Sequence, residues 1–202
     1  MIRSKPTKRN AEKNIYAEGV DYFQFPKGSI WGKESTEPLR YLDKAKIKGA
    51  WLNLAAGDGR YQNRLLKEAD FVIAADIDLN ALQKLLQINT KTAHKSRVKI
   101  VKMDLTKPFP FEDNEFDGIF SAGTLHFFGM GVLEKTFSEC DRILKTGGKI
   151  LFSFPTNVQR IQPDGSSLIY GDEPDYKIAQ MHEFLKISFS NYDIDFFDCL
   201  PE

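Results

Sequence analysis

From residue 50 onward, apolar side chains fall into short, nearly unbroken runs separated by stretches in which they recur three or four positions apart. Runs of the first kind are buried strands, and stretches of the second kind are helices that turn one stripe to a core. The pattern predicts strands over Ala50 to Leu54, Phe71 to Asp76, Val98 to Met103, Phe116 to Ser121 and Lys149 to Phe154. It predicts helices over Arg60 to Ala69, over Asn80 to Ile88 with Ala81, Leu82, Leu85 and Leu86 inward, and over Val132 to Leu144 on a stripe of Leu133, Phe137, Cys140 and Leu144. Strict alternation with uninterrupted apolar strands means a mainly parallel sheet with helices on both faces, a doubly wound α/β fold. Ligands in such sheets sit at the C-terminal strand ends, beside the switch in strand order.

The flanks are less regular. Residues 14–35 scatter Tyr16, Tyr22, Phe23, Phe25 and Trp31 among Gly19, Pro26, Gly28 and Gly32, too broken for a long helix. A helix follows near Thr36 to Ala45, with Ser35 or Thr36 placed to cap it and Gly49 ending the segment. Beyond Phe154, Pro163-Asp164-Gly165 is a turn signal that suggests an inserted hairpin over residues 158–170. A helix over about Tyr176 to Lys186 and a sixth strand around Tyr192 to Phe197 complete the pattern, so the sheet is expected to be trimmed at this edge or completed by the hairpin. Residues 1–35 read as a basic arm and aromatic segment, residues 36–202 as one domain.

Composition supports a globular chain: 202 residues, 42% apolar, with 16 Phe, 7 Tyr and 2 Trp. Lys and Arg number 28 against 28 Asp and Glu, which argues against a protein that coats nucleic acid with its whole surface. The charge is uneven, however. Arg3, Lys5, Lys8, Arg9 and Lys13 face Glu12 alone at the start, whereas acids dominate from Asp164 onward. No apolar run approaches the roughly 18 residues of a membrane span, and the charged opening MIRSKPTKRN does not read as a secretory signal, so a cytoplasmic location is expected. Cys140 and Cys199 have neither the spacing nor the histidine partners of a metal site and read as reduced thiols.

The chemistry concentrates in WLNLAAGDGRYQ, where an apolar strand joins a helix through Ala55-Ala56-Gly57-Asp58-Gly59. Small side chains let a ligand approach the backbone, Gly57 and Gly59 supply a tight turn with open N–H groups, and Asp76 closes the neighbouring strand at the spacing of a ribose-binding carboxylate. Together they specify a nucleoside ligand. A dinucleotide would call for a third glycine where Gln62 stands, and no triphosphate-binding glycine-lysine loop occurs. S-adenosyl-L-methionine, with ribose and adenine but no phosphate, meets the remaining requirements.

Four segments, WLNLAAGDGR, FVIAADID, KMDLTKPFPFEDNEFDGIFSAGTLHFF and ECDRILKTGGKILF, resemble in order and spacing the motifs of class I S-adenosylmethionine-dependent methyltransferases, which have a Rossmann-like fold. The resemblance covers about residues 50–154. It implies that Asn53, Ala55, Ala56, Gly57 and Gly59 surround the methionine end of the cofactor, that Asp76 holds the ribose and that Ile77 lies against the adenine. Asp104 would accept from the adenine amino group with Leu105 giving backbone contact, and Ser121 and Ala122 would sit beside the methionine moiety. A turn or helix cap is the competing reading of Asp104. The family usually has glycine where Ala55 stands, an acid where Asn53 stands and proline where Thr146 stands.

Methyl transfer depends mainly on holding nucleophile and methyl carbon in near-attack geometry. Should a proton have to leave, His126, just past the fourth strand, is the candidate base; local packing in LHFF is its other reading. Ser121-Ala122-Gly123-Thr124 lacks the Asn/Asp-Pro-Pro-aromatic motif of enzymes that methylate base amino groups, and both cysteines look structural. A small-molecule acceptor is therefore favoured, with Tyr16, Tyr22, Phe23 and Trp31 folding over it as a lid or packing on the sheet edge. An RNA or protein acceptor reached through the basic arm, and a non-catalytic nucleoside-binding protein, are the alternatives.

Overall fold

The computed structural model describes residues 22–24, 28–30, 32–33, 35–90, 95–157, 164–166 and 174–195. Tyr16, Trp31, Cys199, the basic arm and most of the expected hairpin lie outside them. Within residues 164–166, the Asp164 carboxylate accepts from the Ser166 amide at 2.9 Å, so the expected turn is present.

Five parallel strands, β1 (Ala50–Leu54), β2 (Phe71–Asp76), β3 (Val98–Lys102), β4 (Phe116–Ala122) and β5 (Leu144–Ser153), lie in the order β3-β2-β1-β4-β5. The order reverses between β1 and β4. Helices α1 (Thr36–Lys44), α2 (Gln62–Leu66), α3 (Leu79–Thr90), α4 (Met130–Ile143) and α5 (Ile178–Ser188) complete the framework. None of the described helices is long and apolar enough to cross a membrane.

Because successive strand residues point to opposite faces, each strand feeds two cores. Trp51, Val72, Ala74, Phe120 and Leu151 pack with α1, α2 and α3, whereas Leu52, Leu54, Ile73, Ala75 and Ile119 pack with α4 and α5. This double burial explains why the strands read as unbroken apolar runs. It also leaves only the strand ends for polar chemistry.

Element limits differ from expectation where backbone geometry intervenes. The helix expected over 60–69 forms only at Gln62–Leu66, because residues 57–61 are spent on a turn that passes through Gly59 at φ +91°. The expected Asn80 start moves to Leu79, since the Asp78 side chain caps the helix by accepting from the amides of Asn80 (2.9 Å) and Ala81 (3.3 Å). Strand β5 begins at Leu144, ahead of the Gly147–Gly148 turn, because Leu144 already pairs with Phe116 and a register shift absorbs the glycines. The sixth strand is a correction for its described part: residues 192–195 join no strand, and Tyr192 instead packs against Phe189 and donates its hydroxyl to Asp141 at 2.6 Å.

One contact fixes how closely β1 and β4 approach beneath α2. A Cβ placed on Gly118 would fall 2.3 Å from the Trp51 indole, which is fully buried. Gly118→Ala should therefore destabilise the fold by about 2–3 kcal/mol through overpacking. Urea denaturation should show a lowered midpoint with an unchanged slope; an unshifted midpoint would mean that Trp51 can move aside.

Candidate functional site

Strands β1 and β2 are paired in register from Ala50↔Phe71 to Leu54↔Ala75, so the residues that follow them emerge side by side. Beyond Leu54 the chain turns through Ala55 at φ +57°, a left-handed conformation that disfavours a side chain. The Ala56 amide donates to the Ala75 carbonyl at 3.0 Å, and the Gly57 amide donates to Asp76 Oδ2 at 2.8 Å. Gly59 is required sterically as well as conformationally, since a Cβ there would sit 2.7 Å from Leu85 on α3.

The second oxygen of Asp76, Oδ1, accepts from the Asp78 amide at 2.9 Å. One carboxylate therefore clasps the loops after β1 and β2 together. Burial raises its pKa above the ordinary aspartate value, the nearby Asp78 charge pushes the same way, and the amides of Asp78, Gly57 and Ile77 pull it back. A carboxylate has about four acceptor sites, so capacity remains for donors from a ligand. Half-buried Ile77 follows directly, and the Met103 amide donates to the Asp76 carbonyl at 2.8 Å, which brings the end of β3 alongside.

The remaining expected residues lie at or near the same strand ends, and several have partners of their own. Asn53, on the α2 face of β1, donates Nδ2 to Gln62 Oε1 at 2.9 Å, and both side chains are buried. Gln62 Nε2 is buried without a hydrogen-bond partner, and so is Ser121 Oγ near the end of β4. Ala122 is half-buried, and next to it Gly123, at φ +71°, has nothing within 4 Å of its would-be Cβ. Asp104 Oδ1 closes a local turn, accepting from the Thr106 amide at 2.8 Å and the Thr106 hydroxyl at 2.7 Å. Leu105 buries its side chain in the α4 core, and its carbonyl accepts from Thr136 at 3.4 Å.

His126 lies in a 3₁₀ turn, Leu125–Phe127, that follows β4. It is buried against Phe127 (3.9 Å between ring centroids) and edge-on to Phe154 (6.3 Å). Of the aromatic segment, Tyr22 is 3% exposed and hydrogen-bonds the Asp78 carboxylate, whereas Phe23 is 43% exposed. Burial, with Asp78 as the next cause, drives the Tyr22 phenol well above the usual tyrosine range.

Two residues of the site escaped the sequence. Asp58, which served there only as a spacer between glycines, is 1% exposed and pairs with Lys84 Nζ at 2.8 Å. Lys84 carried a trace: it lies three residues from Ala81 on the inward stripe of α3, where a lysine needs a carboxylate.

The arrangement suits a cationic nucleoside better than a pyrophosphate. Lys84 is committed to Asp58, the Arg60 guanidinium turns away to the Lys33 carbonyl (2.6 Å) and Ser35 Oγ (3.2 Å), and the acids Asp76 and Asp78 stand at the end of β2. Asp76 offers acceptors for ribose hydroxyls, and the Ser121 hydroxyl, fully buried near the end of β4, has no hydrogen-bond partner. The residues present therefore fit S-adenosylmethionine.

Comparison with known proteins agrees. Residues 52–152, half of the chain, match the family model described as a methyltransferase domain. Phosphoethanolamine N-methyltransferase of Triticum aestivum is 34% identical over 121 residues, which are 59% of this chain and 23% of that protein. The chain thus spans about a quarter of the length of that curated relative. Among solved structures, DhpI in complex with SAH superposes with a TM-score of 0.58 at 22% identity, covering 75% of this chain and 72% of that one. A SAM-dependent methyltransferase from Aquifex aeolicus gives 0.59 at 21% identity, covering 76% and 79%. The chain belongs to the methyltransferase domain family and carries the class I S-adenosylmethionine-dependent methyltransferase fold.

Proposed function

We propose that this chain binds S-adenosylmethionine at the ends of β1, β2 and β4 and catalyses transfer of its methyl group to a small-molecule nucleophile. The observation that carries the reading is the Asp76 carboxylate, fixed by Gly57 and Asp78 amides and still able to accept from a sugar. When bound, the cofactor supplies a methyl carbon activated by its sulfonium. Asp76 accepts the two ribose hydroxyls, Ile77 packs against the adenine, and Asp104 and Leu105 border the adenine edge. Ala55, Ala56, Gly57 and Gly59 admit the methionine moiety close to the backbone, while Asn53, Ser121 and Ala122 line its other side. The carboxylates of Asp76 and Asp78 favour a positively charged ligand.

The acceptor approaches on the β4 side, where Gly123 leaves open space. The name of the wheat relative makes a small amine the first acceptor class to assay. His126, beside Phe127 and Phe154, is the proposed base for a proton lost from the acceptor.

Calorimetry should show S-adenosylmethionine binding by the wild type, loss of at least about tenfold in affinity for Asp76→Ala, and no comparable binding of NAD. Tight NAD binding alone would overturn the assignment. The raised pKa of Asp76 sets a second expectation. Ribose donors favour the charged carboxylate, so affinity should fall as pH drops through a window that opens above the ordinary aspartate value near 3.8. Asp76→Asn should show no such decline; the same pH profile in both proteins would assign the titration to another group. His126→Ala should lower turnover more than cofactor affinity, and unchanged turnover with a true acceptor would remove the imidazole from the chemistry.

A further inference from the structure

Asp58 is a carboxylate buried in the middle of the loop that faces the cofactor, and such a group is tolerated only where donors surround it. Lys84 of α3 supplies one, on Oδ2 at 2.8 Å. The other described donors come from upstream of α1: the Ile30 amide reaches Oδ2 at 2.7 Å, and the Ser29 hydroxyl donates to Oδ1. Further ties run between the same two regions. Tyr22 bonds Asp78, Arg60 reaches the Lys33 carbonyl and Ser35 Oγ, and the Ser35 amide donates to the Tyr61 hydroxyl at 3.2 Å. Asp58 directly follows Gly57, whose amide holds Asp76 in place.

We propose that Asp58 is a positioning residue through which the described residues upstream of α1, Ser29 and Ile30 foremost, and the cofactor loop hold each other in place, so that docking of Ser29 and Ile30 on Asp58 and binding of the cofactor promote one another. This rests on the reading of the loop as the cofactor site. The physical basis is the count of donors. With Ser29 and Ile30 withdrawn, Asp58 keeps Lys84 alone as a described partner, and a buried ion pair stripped of its supplementary hydrogen bonds loses what offsets its desolvation. The loop must then shift toward water, carrying Gly57 away from Asp76. Conversely, a ligand that seats against Gly57 and Asp76 holds the loop where Asp58 meets its donors. Linkage makes the two effects equal in size. Tyr22 extends the same coupling to the loop after β2, because its partner Asp78 also gives its amide to Asp76.

Ser29→Ala and Tyr22→Phe remove single hydroxyls upstream of α1 and leave the Asp58–Lys84 pair intact, so both variants should fold. In the full chain titrated with S-adenosylhomocysteine, Ser29→Ala should raise the dissociation constant roughly tenfold, and Ser29→Thr should restore most of it. Hydrogen exchange of the Ile30 amide in the wild type should slow on adding S-adenosylhomocysteine by a similar factor. A purely structural contact would not respond to the ligand. The proposal is overturned if Ser29→Ala binds within about twofold of wild type, or if Ile30 exchange is indifferent to S-adenosylhomocysteine. Loss of binding in Asp76→Ala with none in Ser29→Ala would sink the positioning role alone, whereas full binding in both would sink the cofactor site and this inference with it.

Discussion

One carboxylate joins the two loops on which the site is built. Parallel pairing of β1 with β2 brings Leu54 opposite Ala75, and Asp76 then accepts from Gly57 on one side and Asp78 on the other. Backbone donors of this kind are aimed by the sheet itself, so the acceptor geometry exists before any ligand arrives. Burial raises the cost of holding that charge, and the amides offset it. The site is thus a place where the fold concentrates unsatisfied acceptor capacity at the strand ends, while both faces of the sheet are closed by apolar packing.

Much of this was legible in sequence because the strands are buried on two sides. Unbroken runs such as Phe71 to Ala75 leave no other reading once helical stripes separate them, and Asp76 and Gly57 are named by their spacing from those runs. Asp58 was not legible. Its partners Ser29, Ile30 and Lys84 lie 26 to 29 residues away, and only the lysine on the inward stripe of α3 hinted at a buried acid. Strand limits near glycines also escaped: a periodicity argument stops β5 at Gly147–Gly148, whereas a register shift lets pairing run through them. Asp104 carried two readings in the sequence, and the turn is present, with Oδ1 accepting from both the amide and the hydroxyl of Thr106.

Two of the three departures from the family pattern, those at Ala55 and Asn53, have structural counterparts. Ala55 occupies a left-handed conformation in which a methyl group costs about 1 kcal/mol relative to glycine, strain held in place by the bonds of the adjoining loop. Asn53, standing where an acid is usual, forms a neutral amide pair with Gln62, the residue that also displaces the third glycine of a dinucleotide loop. The pair gives the buried Asn53 amide a partner without adding a charge. The acids at the end of β2 are Asp76 and Asp78.

The contact between the sugar hydroxyls and Asp76 is open to direct measurement. It is tested by comparing, in calorimetric titrations of the intact chain, S-adenosylhomocysteine with its 2′,3′-dideoxy analogue. Two hydrogen bonds to a charged acceptor should separate the dissociation constants by roughly a hundredfold or more. Equal affinity for the two compounds would contradict the account.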